Sequence, residues 1–240
     1  MKIKALFCDL DDTLVDTRHL YDSGIDVACD KFNEIANQNF SREKFRDIFL
    51  AAREQVKASI PTLAAKHSRA IYFQRIVEDL HIETNFELMY EMTKVYYSHI
   101  LDNMKIRGDA LDLLKSVQES GRKVVLVSDG ATELRLEKIH RLQISDYVDF
   151  LVSSEESGME KPAKENFLSA LRKANVKSDE VVMLGNNAAS DTLGANVLGI
   201  ISIQLRTNNS KDEPKTKVEE PKYMVDDLSK VSEIINELES

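Results

Sequence analysis

Between Asp109 and Gly199 short β-type runs and helical patterns take turns, and no other feature limits the fold as strongly. The β-type runs of the chain are Ile3–Cys8, Lys123–Val127, Tyr147–Val152, Val181–Leu184 and Ile200–Gln204, with a weaker one at Tyr223–Val225. Helical patterns cover Asp109–Ser120, Thr132–Leu142, Ala163–Ala174, Ala188–Leu198 and Asp227–Leu238. The first of these places Leu113, Leu114 and Val117 on one face and stops at Gly121, a residue suited to the left-handed position past a helix end. Strand and helix in strict alternation predict an α/β fold, a three-layer Rossmann-like core with a parallel sheet and helices on both faces. Its crossovers should be right-handed.

One segment breaks the rhythm. From residue 18 to residue 103 the sequence carries helical periodicity only, over Leu20–Ala36, Arg42–Ala58, Ser68–Leu80 and Phe86–Asp102. The expected organisation is therefore an α/β core made of residues 1–17 and 104–240, interrupted by a four-helix cap over residues 18–103. Within the cap, residues 42–75 hold eight Lys and Arg against three Asp and Glu. That stretch reads either as the lining of an anion-attracting cleft or as the solvated face of two surface helices. Residues 206–221 are polar and read as an exposed loop with no site in it.

Charge and cysteine usage narrow the function classes. With 32 Lys and Arg against 41 Asp and Glu, the net charge of −9 argues against a nucleic-acid partner. A small anionic ligand remains open if a cation or local basic groups offset the field. Two cysteines, Cys8 in an apolar run and Cys29 in a helical one, read as reduced core thiols of a cytoplasmic protein. The first residues lack the long apolar core and cleavage site of a signal peptide. No apolar run approaches the ~20 residues of a membrane span, so no membrane partner is expected. Nothing in the sequence sets an oligomeric state.

The chemistry gathers after the first strand, at Asp9-Leu10-Asp11-Asp12-Thr13-Leu14-Val15. Carboxylates at the C-terminal end of a buried strand face the crevice where open α/β sheets bind ligands. Asp9 and Asp11 are two apart and so share a side of an extended chain. Carboxylates that close repel, and either a divalent metal or shared acid/base work resolves the repulsion. Mg2+ fits all-oxygen chemistry, since no Cys/His cluster offers a zinc site.

The run DLDDTLVD resembles the first motif of the haloacid dehalogenase-like (HAD) hydrolase superfamily, mostly Mg2+-dependent phosphatases, and later motifs follow in order. Ser128 follows the strand KVVLV, Lys161 stands in SEESGMEKP with Pro162 suited to the first position of the next helix, and LGNNAASDTLGA follows VVML. The helical insert is similar to the family's α-helical cap. The resemblance implies Asp9 as nucleophile giving an aspartyl-phosphate, and Asp11 as general acid and then base. It implies Ser128, with the backbone N–H groups of Asp129 and Gly130, as holders of phosphoryl oxygens, and Lys161 as the neutralising cation. Mg2+ would bind Asp9, the Asp11 main-chain carbonyl, Asn186 and Asp191. The implied substrate is a small phosphorylated metabolite, bound between core and cap, with the loop Ser59–His67 as one source of cap contacts.

Two positions depart from the family pattern. Asn186 stands where Asp is usual, which removes one negative charge from the metal site and predicts weaker Mg2+ binding than an Asp would give. Asp129 stands where Asn is common, and an extra carboxylate beside a phosphate pocket must either point away or meet a polar substrate group. Dehalogenases lack the second aspartate of the first motif, so Asp11 argues for phosphoryl chemistry. A sugar-phosphate mutase and a non-catalytic binding module stay open as alternatives. His19 reads as a partly exposed residue at a helix start.

Overall fold

Strands buried on both faces must be apolar along their whole length, because helices cover each side of a parallel sheet. Six strands form among residues 2–83, 86–209 and 212–240, which the computed structural model describes; the first four are largely apolar, whereas the last two carry Ser202, Gln204 and an exposed Met224. They are β1 (Ala5–Cys8), β2 (Lys123–Ser128), β3 (Phe150–Ser153), β4 (Val181–Gly185), β5 (Ile201–Leu205) and β6 (Tyr223–Val225). All pair in parallel, in the order β3-β2-β1-β4-β5-β6. The register sets Cys8 beside both Leu126 and Leu184, so β1, β2 and β4 end nearly level. The chain builds outward from β1 on one side and then restarts at β4 on the other. That reversal leaves a crevice at the C-terminal ends of β1 and β4, where α/β sheets take their ligands.

The chain divides into two compact units, residues 1–16 with 105–240, and residues 17–104. The second unit holds α1 (Arg18–Ala36), α2 (Arg42–Ser59), α3 (Arg69–Asp79) and α4 (Phe86–Asn103). Its interior is aromatic: Phe49 stacks on Tyr96 at 6.0 Å and meets Tyr72 edge-on at 5.6 Å. The basic stretch is largely accounted for inside this unit. Arg42 and Arg46 pair with Asp30 and Asp26 of α1, and the Arg69 guanidinium lies over the Tyr21 ring and donates to the Tyr96 hydroxyl. His19 is exposed at the start of α1.

The first unit carries the remaining helices: α5 (Gly108–Glu119), α6 (Thr132–Arg141), α7 (Ser154–Ser157), α8 (Lys164–Ala174), α9 (Leu193–Val197) and α10 (Ser229–Glu239). Phe7, Val125, Val127, Phe167 and Met183 fill the core on one side of the sheet. Three boundaries differ from the sequence expectation. The strand expected from Tyr147 begins at Phe150, because Ser145–Tyr147 close into a single 3-10 turn. Pro162 is not in the first helical turn; it sits in the turn closed by Ala163 N–H on Glu160 O (3.0 Å), and α8 starts at Lys164. The helix expected over Ala188–Leu198 is two pieces, a π turn at Ala188–Thr192 and then α9.

Candidate active site

Asp9 follows β1 directly, and its N–H still bonds Leu184 O of β4 at 2.9 Å, which holds the residue at the crevice. Beyond it the chain turns sharply. The Leu14 and Val15 N–H groups both reach Leu10 O, and Asp12 takes φ 62°. Leu10 and Leu14 are fully buried, so packing anchors the loop while Asp9 and Asp11 stay at its polar side.

Lys161 arrives from the turn before α8 and joins three elements. Its Nζ donates to Asp9 Oδ1 (2.7 Å), Asp191 Oδ1 (2.6 Å) and Val127 O (2.8 Å), which uses all three ammonium protons. Asp9, Asp191 and Lys161 are each buried. Burial pushes the Asp9 carboxyl up to about 7, against the pull of Lys161 and with Asp191 adding to the rise. Burial likewise raises Asp191 above the usual carboxylate range. It works against the Lys161 ammonium too, but Asp191, Asp9 and Asp129 outweigh it and hold Lys161 above the ordinary lysine value. Once both carboxyls are ionised, two negative charges face one ammonium and the group carries excess negative charge.

Asp11 lies apart from that cluster in its bonding. It pairs with Lys138, fully buried on α6, and with Arg135 at 3.5 Å on the same helix. Asp9 and Asp11 thus each have their own ammonium rather than one shared cation. Ser128 closes β2 and is buried beside Ser153 of β3. Asp129 turns its carboxylate to the Lys161 main chain, accepting from that N–H at 2.9 Å. The carboxylate thus meets neighbouring protein backbone, which neither of the two options left by the sequence described. The Gly130 N–H donates to Ser154 Oγ at 2.7 Å, so it is already engaged and does not face the crevice as a free donor. Gly130 has φ +115°, which favours glycine, and a Cβ there would stand 2.8 Å from Arg135 Nη2 and displace that guanidinium.

After β4 the chain passes Gly185 and Asn186 into the π turn. A Cβ on Gly185 would fall 2.3 Å from Asp191 Oδ2, so the absence of a side chain there is what lets Asp191 reach Lys161. The π turn sets Asp191 facing inward, with its N–H on Asn187 O at 2.8 Å and its Oδ2 accepting from Asn187 N–H at 3.1 Å. Asn186 Oδ1 and Asp9 Oδ2 both approach Thr13 Oγ, at 3.1 and 3.3 Å. A hydroxyl has one proton and cannot satisfy both.

These residues fit a hard divalent cation. The donors are two carboxylates, an amide oxygen and main-chain carbonyls, with no sulfur or imidazole, and two of the oxygens compete for a single proton. Among the described residues no three His, Cys, Asp or Glu side chains form a metal-holding group. A cation here therefore depends on the Asn186 amide and on main-chain oxygen as well as on carboxylates.

The family model for haloacid dehalogenase-like hydrolases matches residues 3–199, which spans the strands and loops of this cluster. The chain belongs to the haloacid dehalogenase-like hydrolases. Over 209 residues it is 31% identical to the ribulose-1,5-bisphosphate 5-phosphatase of Halopiger xanaduensis, covering 87% of each chain. Over 237 residues it is 26% identical to the glyceraldehyde 3-phosphate phosphatase of Methanopyrus kandleri, covering 98% of each. The crystal structure of a HAD phosphatase from Thermococcus onnurineus superposes with a TM-score of 0.74 at 21% identity, over 97% of this chain and 98% of that one. At that identity the likeness establishes the fold.

Four residues of this HAD-like hydrolase enter the site without having been singled out from the sequence. Thr13 lay inside the first motif and carried a visible signal. Arg135 and Lys138 are three apart on α6, a spacing that puts them on one face, but their burial is invisible in a helix so rich in charge. Asp212 corrects the reading of residues 206–221 as a loop without a site. It is 3% exposed, and its Oδ2 accepts from Asn186 Nδ2 at 3.2 Å. No helix among the described residues is long and apolar enough to cross a membrane.

Proposed function

We propose that this hydrolase is a Mg2+-dependent phosphatase that hydrolyses the phosphate monoester of a small metabolite through an aspartyl-phosphate on Asp9. The observation that carries the reading is the buried Asp9–Lys161–Asp191 cluster at the sheet's reversal point, with a nucleophile-type carboxylate braced by one ammonium. The names of the relatives above, both phosphatases of small phosphorylated metabolites, support the same substrate class.

In the first step an Asp9 carboxylate oxygen bonds to phosphorus as the substrate's ester oxygen leaves, taking a proton from Asp11. In the second, water gives a proton to the Asp11 carboxylate and attacks the phosphorus, which restores Asp9 and frees inorganic phosphate. Lys161 keeps Asp9 oriented and offsets charge on the transferring group. Ser128 and the Asp129 N–H serve as phosphoryl contacts, and Gly130 N–H joins them only by leaving Ser154. Lys138 and Arg135 pair with the Asp11 side chain, and protonating the leaving oxygen requires that pairing to loosen. A Mg2+ held by Asp9, Asn186, Asp191 and the Asp11 main-chain carbonyl would neutralise phosphoryl charge when bound.

The test is phosphate release from a panel of phosphorylated metabolites with Mg2+, run beside Asp9→Asn. The expected result is release from at least one substrate by the wild type and at least a thousandfold less by the variant. Equal release by both would contradict the role of Asp9. No release from any substrate would favour a binding module, and isomerisation of a sugar phosphate without net release would favour a mutase.

A further inference from the structure

The loop after β5 brings one carboxylate, Asp212, into the interior behind Asn186, where it accepts hydrogen bonds from the side chains of Asn186, Thr207 and Asn209. Asp212 Oδ2 accepts from Asn186 Nδ2 (3.2 Å) and from Thr207 Oγ (2.6 Å), and its Oδ1 accepts from Asn209 Nδ2 (3.3 Å). Its main chain is equally fixed. Asp212 O accepts from Ala188 N–H at 3.0 Å and from Gln204 Nε2 at 2.7 Å, and the same Gln204 amide donates to Asn186 O at 3.0 Å. A carboxylate accepts only, so it can face the NH2 end of Asn186 and not the oxygen end. With that end taken, Asn186 Oδ1 is turned toward Thr13 and the Asp9 cluster. The amide is thereby fixed in the one orientation in which it can ligate a cation.

We propose that Asp212 is a positioning residue for the metal site, orienting the Asn186 amide oxygen toward Asp9 and supplying from behind it the negative charge that a neutral amide lacks. The inference rests on Asn186 acting as a metal ligand in the proposed phosphatase. It changes an expectation drawn from the sequence, that Asn186→Asp alone would tighten Mg2+ binding. That substitution sets a second carboxyl against Asp212 and removes the amide N–H that donates to it. The gain belongs instead to the exchanged pair, N186D with D212N, in which the new amide at position 212 donates to the new carboxylate at position 186 and the charge moves forward to the cation.

The test is Mg2+ affinity by calorimetry, together with melting temperature in the absence of metal, for the wild type, D212N, N186D and N186D/D212N. Residues that orient a metal ligand are worth about 10–100-fold in affinity. D212N is expected to weaken Mg2+ binding by about tenfold or more, and the exchanged pair to bind at least as tightly as the wild type. N186D alone is expected to melt below both the wild type and the exchanged pair. A folded D212N that binds Mg2+ like the wild type would overturn the proposal, as would an exchanged pair as weak as D212N. Should D212N fail to fold, the melting order of N186D and the exchanged pair decides, and N186D melting at or above the pair overturns it. A wild type that binds no Mg2+ overturns it as well. Phosphate release is scored separately: release that persists while the affinity pattern fails removes only this inference, and the pattern without release removes only the phosphatase reading.

Discussion

At the residue scale, Lys161 commits its whole ammonium group. Three protons meet three acceptors, two of them buried carboxylates. Removing one partner from a buried charge group is far more damaging than never building the group, because the remaining charges stay out of water without compensation. Lys161→Met is therefore expected to lower unfolding stability by about 3–5 kcal/mol, the usual cost of breaking such a group. Chemical denaturation without added metal measures it, and Asp191→Asn on the same background should recover part of the loss. A Lys161→Met protein as stable as the wild type would mean that water reaches the two carboxylates.

The residues also mark how far a sequence can be read. Asp9, Ser128, Lys161 and Asp191 all reach the C-terminal ends of the strands, where strand-end placement and motif order had put them. Asp212 had no such signal. In sequence, one carboxylate in a run of Ser, Lys, Asp, Glu and Pro carries no mark of burial, and only its hydrogen bonds to Asn186 and Gln204 reveal it. The same limit applies to Gly130, whose N–H looked available until the position of Ser154, 24 residues onward, was known.

At the scale of elements, the strands were legible because a sheet covered on both faces writes itself as apolar runs. Their ends were less so. Ser145–Tyr147 winds into a turn and Ala188–Thr192 widens into a π turn, and neither departure alters the apolar pattern that periodicity detects. A π turn presents a different residue inward than an α turn would, and here it serves Asp191. At the other end of the sheet, one side chain of α10 ties two strand approaches together. Glu239 accepts from the Ile3 N–H at 2.8 Å and pairs with Arg122 at 2.9 Å, joining the approach to β1 with the approach to β2. Burial works against its charge, but the Ile3 N–H and Arg122 prevail and its pKa lies below the usual Glu value. A depressed folded-state pKa gives stability that is present above the unfolded value, about 4.3, and is lost as pH falls through the folded one. Glu239→Gln is expected to lower Tm at neutral pH by about 2 °C, as ~1 kcal/mol does in a chain of this length. The difference from the wild type should shrink below about pH 4, and thermal melts across that range check it.

At the scale of the molecule, an acidic chain takes up anionic chemistry by local arrangement rather than by net charge. The −9 balance argues only against large polyanions. Inside the first unit, Lys161, Lys138 and Arg135 set positive groups against Asp9, Asp11 and Asp191. The second unit holds the basic stretch, yet Arg42 and Arg46 are matched by acids of the same unit and Arg69 by tyrosines. The charge of the proposed site therefore belongs to the strand ends, built from segments as far apart in sequence as Asp9 and Asp212.

The claim on which the rest depends is that Asp9 becomes phosphorylated. Acid quenching during turnover of a substrate labelled in its phosphoryl group, followed by peptide mapping, measures this directly. Label on the peptide that contains Asp9, released by hydroxylamine as an acyl phosphate is and absent from Asp9→Asn, is the predicted result. A wild type that turns over substrate while no label ever resides on that peptide would contradict it.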